Sequence, residues 1–409
     1  MSREFAERLS AIAPSATLAM AAKAAKLRAE GHKVYPFSVG EPDFETPEHI
    51  RSAAKTALDK GATHYTAVTG TPELKAAICA STEAHRGYRP EPSQIVVSSG
   101  AKHALFNLAL ALYQPGDEVI IPAPFWVSYP EQVRMVGASP VIVPTREKEG
   151  FRVRPEVLEA ALTPHTKAVI LCTPSNPTGA AYAREHLLPL LEVLRRSDCY
   201  IIVDEIYADL VYDGFVHASL PALAPDLRDR TIVVDGVSKT YAMTGWRIGW
   251  TIASTALTKA IDIVQSQSTT NAAAVSQAAS VAALTGPRAE LDVMREAFSR
   301  RRKLMVNGLN AIPGLRCRMP EGAFYAFADV HGLLDRHIGD RMIVSDIDVA
   351  NWLLEEVHVA TVPGTPFGAP GYIRFSYACS EADIAEGIRR IHERLDAEHP
   401  RSLRPRAGG

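Results

Sequence analysis

Short runs of consecutive apolar residues recur along the chain, each bounded by turn residues and separated by stretches of helical periodicity. "QIVVSS", "DEVIIP", "KAVILC", "YIIVDE", "TIVVDG" and "RIGWTIA" are apolar on both faces, as strands are when helices cover a sheet from both sides. The pattern predicts an α/β core with a mostly parallel sheet flanked by helices. Between Thr46 and Gly61, "TPEHIRSAAKTALDKG" predicts a helix capped by Thr46, with Pro47 at its first position, Glu48 at the positive dipole end and Gly61 closing it. "TPELKAAI", from Thr71, repeats the start signal. From about Ala289 the pattern changes to a long charged helix, "RAELDVMREAFSRRRKLMVNGL", followed by the alternating strands "GAFYAFADV" and "GYIRFSYA". That change predicts a large domain over 46–288 and a smaller α+β domain over 289–400, which residues 1–45 join. The tail "RSLRPRAGG", 401–409, is too polar and too rich in Gly and Pro to pack, and is expected to be disordered.

Charge and cysteine usage narrow the function. Lys plus Arg number 44 against 46 Asp plus Glu, a balance that argues against nucleic acid as a partner while allowing a local cationic pocket. The five cysteines form no C-x-x-C pair; free thiols in a reducing compartment, the cytoplasm, are expected, with no zinc site and no metal. The N-terminus lacks an apolar signal region, and no run approaches the roughly 18 apolar residues of a membrane span.

Several junctions carry chemistry. In "VVSSGAKHALFNLAL" a strand passes through Ser99, Gly100 and Ala101 into an apolar-periodic helix, so backbone N–H groups can face a phosphate there. Lys102 at the helix start opposes the dipole unless an anion binds nearby. "TPSNPTG" alone reads as an ordinary turn. "YIIVDEIYADLVY" places Asp204 at the end of a buried strand and Tyr207 three residues further on, where open α/β sheets bind ligands. "IIVDE" also resembles the acidic strand of a P-loop NTPase, but the chain contains no G-x-x-x-x-G-K-[ST], and that chemistry cannot omit the phosphate-cradling loop. In "DGVSKTYAMTGWRIGW", Lys239 follows a β-branched run and Arg247 lies eight residues on. A lysine in a mostly apolar pocket loses proton affinity and becomes a nucleophilic amine able to form a Schiff base. Arg247, with Ser238 and the Ser99–Ala101 amides, can then hold a phosphate.

Taken in order, "PSATLAM", "GEPDFETP", "HYTAVTGTPEL", "SSGAKHALFNL", "PAPFWVSYPE", "TPSNPTG", "VDEIYADLVYDG", "VSKTYAMTGWRIGW", "GAFYAF", "VPGTPFG" and "IRFSYA" resemble the class I aminotransferases of fold type I. The likeness runs from about Pro14 to Ala378 and is greatest to the bacterial and plant aspartate aminotransferase subgroup that includes prephenate aminotransferases. The resemblance implies pyridoxal 5′-phosphate as cofactor, bound by the large domain. It implies that Lys239 attaches the cofactor and moves the substrate Cα proton, that Asp204 pairs with the ring nitrogen, and that Asn176 and Tyr207 hydrogen-bond the ring oxygen. Trp126 would stack on the ring. Gly100, Ala101, Ser238 and Arg247 would form the phosphate cup, with Tyr65 reaching in from the other subunit of a homodimer. Arg374, which period-2 alternation sets on one strand face with Tyr372 and Ser376, is implied as the ligand of the substrate α-carboxylate, alongside the Gly40 backbone and Asn176.

Specificity follows from what meets the side chain. By the same resemblance Lys102, assisted by Ser15 and Thr17, contacts a distal carboxylate, a charged hydrogen bond worth roughly 1.5 to 3 kcal/mol. The implied reaction moves the amino group of L-aspartate to 2-oxoglutarate by two half-reactions. Prephenate or an aromatic substrate is an alternative, although relatives that accept prephenate often carry a basic residue where this chain has Ala13. A lyase or oxidase reaction on the same cofactor is another. A ligand-sensing domain of a transcription regulator is a third reading, disfavoured because about 13 residues precede "PSAT". His64 and His103 receive no role.

Overall fold

A computed structural model of the protein describes residues 5–398. The tail expected to be disordered, 401–409, lies outside them. The chain divides into two compact units: Glu41–Ala297, Glu321–Ala323 and the described residues before Ser15 form the first, and Ser15–Gly40, Phe298–Pro320 and the described residues from Phe324 on form the second. The division falls inside the helix Ala289–Asn310, between Ala297 and Phe298, rather than at 288/289. A continuous helix offers no composition change to mark such a point, whereas Gly286 and Pro287 ahead of it do.

The first unit is built on a seven-stranded sheet: β1 (Ile95–Ser98), β2 (Glu118–Ala123), β3 (Ser139–Pro144), β4 (Thr166–Cys172), β5 (Tyr200–Asp204), β6 (Thr231–Gly236) and β7 (Gly249–Ile252), in the order β1-β7-β6-β5-β4-β2-β3. Six strands run parallel; β7 pairs antiparallel with both β1 and β6. Alternate side chains serve different cores. Val119, Ile121, Ile170 and Ile202 pack with Ala104, Leu105 and Leu108 on one face, while Ile120, Val169, Ile201 and Val203 pack with Leu187, Leu190 and Leu194 on the other. Two-sided covering is what the uninterrupted apolar runs require.

Antiparallel β7 has a consequence for chemistry. The carboxyl ends of parallel β1, β4, β5 and β6 gather on one sheet edge, and the start of β7 joins them there, with Gly249 opposite both Ser98 and Gly236. The turn ahead of β7, which carries Arg247, therefore arrives at the same edge as Gly100, Asp204 and Lys239. A parallel strand would have placed it at the far end.

In the second unit β8 (Arg316–Cys317), β9 (Tyr325–Asp329), β12 (Val362–Pro363) and β13 (Tyr372–Ser376) form an antiparallel sheet in the order β12-β13-β9-β8, and β10 (Arg336–Ile338) pairs with β11 (Arg341–Ile343). Helix α1 (Ala16–Ala29) also belongs to this unit.

The helix expected to be capped by Thr46 begins one residue later than expected. In α2 (Glu48–Asp59) Pro47 is the cap residue. Thr46 donates its hydroxyl to the Ala242 carbonyl at 2.7 Å and accepts the Trp246 indole N–H at 3.0 Å. A nearly buried hydroxyl with tertiary partners has none to spare for the helix end. Helix α3 (Pro72–Arg86) does follow the expected signal, with Thr71 accepting the Leu74 N–H and Pro72 at the first position.

Candidate active site

The site grows from the carboxyl edge of the sheet. β1 ends at Ser98, and Gly100, at φ +91°, turns the chain into α4 (Ala101–Leu112) with no side chain capping the helix. A Cβ at Gly100 would stand 2.5 Å from Arg247 Nη2, and one at Gly249 would meet the Ala101 nitrogen at 2.2 Å. Only glycine permits these approaches, which bring the guanidinium onto the free N–H groups of the helix start. Arg247 is anchored through Nη1 to the Thr244 carbonyl at 2.9 Å. Lys102, the second residue of α4, lies with Nζ 5.0 Å from the Trp126 ring centre. The residue is exposed, but its ammonium is partly screened from water, and this, followed by repulsion from Arg247, lowers its pKa. Two cations at a helix N-terminus are mutually unfavourable until an anion joins them.

Trp126 meets Tyr129 edge-on, with ring centres 5.3 Å apart. Tyr129, at the start of α5 (Ser128–Met135), donates its hydroxyl to Asp204 Oδ2 at 2.6 Å, and the Ile206 N–H donates to Oδ1 at 3.2 Å. Burial pushes Asp204 up to about 6 against these two donors, with the nearby Glu205 charge raising it and Lys239 lowering it. Lys239 is thus within electrostatic reach of Asp204. Asn176 lies in the loop after β4, buried and joined to Pro177 by a cis peptide bond, and Tyr207 lies buried in the turn after β5. Ser238 is buried just before Lys239.

The residues named from the sequence therefore fall into three groups. Gly100, Ala101, Lys102, Trp126, Asn176, Asp204, Tyr207, Ser238, Lys239 and Arg247 lie at or after the carboxyl ends of the parallel strands or just ahead of β7 in the first unit. In the second unit Arg374 is 2% exposed, donates through Nη2 to the Ser38 carbonyl at 2.9 Å, and lies 4.5 Å from the Tyr325 ring centre and 5.2 Å from that of Phe367. Half-buried Gly40 follows two residues after that carbonyl. Ser15 caps α1 by accepting the Leu18 N–H, and Thr17 lies in its first turn. Tyr65, by contrast, is 89% exposed on this chain.

Sequence reasoning missed the supports. Tyr129 is one; its i+3 spacing from Trp126 was a usable signal. His103 is another: it accepts the Ser99 N–H through Nδ1 at 3.2 Å. Burial lowers its pKa, which preserves the neutral acceptor. Buried Gln265 accepts from Ser98 and Asn107 and donates to the Val68 and Val97 carbonyls. Gln277 donates to Thr66 and accepts the Thr71 N–H. Together they fix the loop that presents Tyr65. The glutamine contacts span long sequence separations and leave no local pattern.

Comparison with known proteins identifies the family. The profile of "Aminotransferase class I and II" matches residues 32–391. The aspartate aminotransferase of Rhizobium meliloti is 48% identical over 393 residues, covering 96% of each chain. An aspartate/prephenate aminotransferase of Cereibacter sphaeroides is 46% identical, over 94% of this chain and 96% of the relative. Among solved structures, the Rhizobium meliloti aspartate aminotransferase superposes with a TM-score of 0.93 at 47% identity, over 97% of this chain and 99% of that one. The Thermus thermophilus aspartate aminotransferase with maleate gives 0.90 at 42%, over 96% and 100%. Folded as a fold type I enzyme and matched along nearly its whole length, the chain belongs to the class I and II aminotransferases.

Proposed function

We propose that this aminotransferase uses pyridoxal 5′-phosphate to move the amino group of L-aspartate to 2-oxoglutarate, giving oxaloacetate and L-glutamate. The observation that carries the cofactor is the cradle at α4: a glycine whose Cβ position is occupied by Arg247, uncapped helix N–H groups, and two cations that need an anion between them. Gly100, Ala101, Ser238 and Arg247 would hold the phosphate, Trp126 the ring face, and Asn176 and Tyr207 the ring oxygen. Asp204, a buried carboxylate raised to about 6, suits a protonated ring nitrogen, whose charge would offset the burial that raises it. When bound, the cofactor supplies a ring that delocalises the electron pair left at the substrate Cα.

The chain's own groups do the rest. Lys239 would hold the cofactor through its amine and would serve as the base that takes the proton from the substrate Cα. Arg374, held between aromatic faces and anchored to the Ser38 carbonyl, would bind the α-carboxylate, a role proposed also for the Gly40 backbone and Asn176. Lys102 binds the distal carboxylate, assisted by Ser15 and Thr17. Tyr65, exposed on its own protomer, completes the phosphate cup of a second copy in a homodimer. The aspartate preference draws support from the names of the relatives, and the aspartate/prephenate enzymes among them favour prephenate as a second acceptor. Mixing purified loaded enzyme with L-aspartate and varied 2-oxoglutarate tests the reading. Oxaloacetate formation with parallel double-reciprocal lines is expected, and absence of oxaloacetate overturns it.

A further inference from the structure

Asp204, Tyr207 and Lys239 each have an acidic neighbour in the chain that their proposed chemistry does not use. Glu205 follows Asp204, Asp209 lies two residues past Tyr207, and Asp235 is the second-last residue of β6, ahead of the turn that leads to Lys239. We propose that Arg86 is a positioning residue for the reaction centre, its guanidinium tying these three carboxylates together and so fixing the segments that carry Asp204, Tyr207 and Lys239. The inference rests on the functional reading of those three residues given above.

Arg86 is the last residue of α3, where Gly87 in a left-handed conformation ends the helix. Its side chain is 10% exposed and reaches all three acids. Nη1 and Nη2 donate to the two oxygens of Asp209 at 3.2 and 3.1 Å, Nη2 also donates to Asp235 Oδ2 at 3.4 Å, and Nε lies 3.4 Å from Glu205 Oε2. The planar fork suits this multidentate task and an ammonium does not. The acids have further holds. Ser219 donates to Glu205 Oε1 at 2.7 Å, with His217 Nε2 at 3.4 Å, and Arg288 donates to Asp209 Oδ1 at 2.9 Å. Thr240, next to Lys239, donates to Asp209 Oδ2 at 3.4 Å. Displacement of the cluster would therefore move both the segment after β5 and the turn after β6.

The charges balance. Burial opposes ionisation of Asp209, but Arg86 and Arg288 hold it well below the usual range. Burial raises Asp235 to about 8 against the opposing charge of Arg86, with Asp209 and Glu205 adding to the rise. Glu205 and Asp209 then face Arg86 and Arg288 while Asp235 keeps its proton. His85, Tyr88 and Tyr241 are the other titratable groups in electrostatic reach. With Asp235 protonated, the charges of Glu205 and Asp209 are matched by those of Arg86 and Arg288, and contacts from several segments hold the cluster without a ligand.

The test compares wild type with R86K, which keeps the charge and loses the fork, and with E205Q, which removes only the arm beside Asp204. Three readouts are taken: kcat and KM for L-aspartate, the pH dependence of the bound cofactor's visible absorbance, and the pH dependence of Lys239 labelling by acetic anhydride in cofactor-free protein. The expected result for R86K is a cooperative melt and a loss of up to about 10²-fold in kcat with little change in KM. The absorbance and labelling profiles should both be displaced from wild type. A lower melting temperature with all three readouts at wild-type values would overturn the proposal, and if R86K does not fold, E205Q decides on kcat, KM and Lys239 labelling, because loss of the Glu205 charge by itself moves Asp204. Wild type that takes up no pyridoxal phosphate would instead refute the underlying reading.

Discussion

Two charged regions of the first unit lie close together in the chain and are built on opposite plans. At the start of α4, Arg247 and Lys102 lower each other's comfort: Arg247 reaches backbone carbonyls rather than a carboxylate, and its charge depresses Lys102. Around Arg86, three acidic side chains and two guanidiniums are held in mutual contact, largely out of water. The first arrangement is incomplete without an anion and so favours binding one. The second already pairs its opposite charges, and breaking it leaves a buried charge uncompensated. Adjacent segments thus divide the labour, with unsatisfied charge where a ligand is proposed to bind and satisfied charge behind the groups proposed to react.

Substitutions can break this contrast, and the largest effect should come from the residue between the two regions. Lys239→Ala should lower amino transfer by about 10⁴-fold or more, and borohydride reduction followed by mass spectrometry should find no pyridoxyl group on the chain. Arg247→Met should weaken cofactor binding about 10- to 150-fold, the equivalent of one or two charge-assisted hydrogen bonds, as read by equilibrium dialysis. In the cofactor-free protein the same change should let the Lys102 pKa rise, because one of its two depressing influences is gone.

The satisfied cluster should respond to pH in the other direction from an ordinary paired carboxylate. Asp235 is raised from its ordinary value to about 8 in the folded protein. Its stabilising proton is therefore present at acid pH and lost as pH rises through about 8. Urea unfolding of cofactor-free wild type should show stability falling across that window, and D235N, which cannot lose a proton there, should flatten the fall. The smallest effect belongs to Tyr129→Phe. Removing the hydroxyl that favours the Asp204 carboxylate should move that group further up from about 6, measurable by carboxyl carbon chemical shifts in the cofactor-free protein, with a modest loss of transfer rate.

Much of the sheet was legible because a buried parallel strand must be apolar on both faces, and β1, β2, β4, β5, β6 and β7 all carry such runs. β3 escaped notice: "SPVIVP" has a proline near each end and lies at the sheet edge, with only Val143 fully buried. The direction of β7 was not legible either, since an apolar run reads the same in both senses, yet that direction brings Arg247 to the site. Thr46 shows how a local rule is overridden, its hydroxyl engaged by Ala242 and Trp246. The candidate reactive groups stood out because each breaks an apolar run or interrupts a turn. Arg86, Gln265 and Gln277 sit in unremarkable helical sequence, and their partners lie more than a hundred residues away or on another element.

The central claim, a dicarboxylate aminotransferase, is tested most directly by a single-turnover absorbance titration of the cofactor-loaded enzyme with a panel of L-amino acids and no acceptor. The account predicts rapid conversion of the visible band to the amine form of the cofactor with aspartate and glutamate, and loss of that conversion in Lys102→Ala. Conversion only with an aromatic, basic or sulfur-containing amino acid would contradict it.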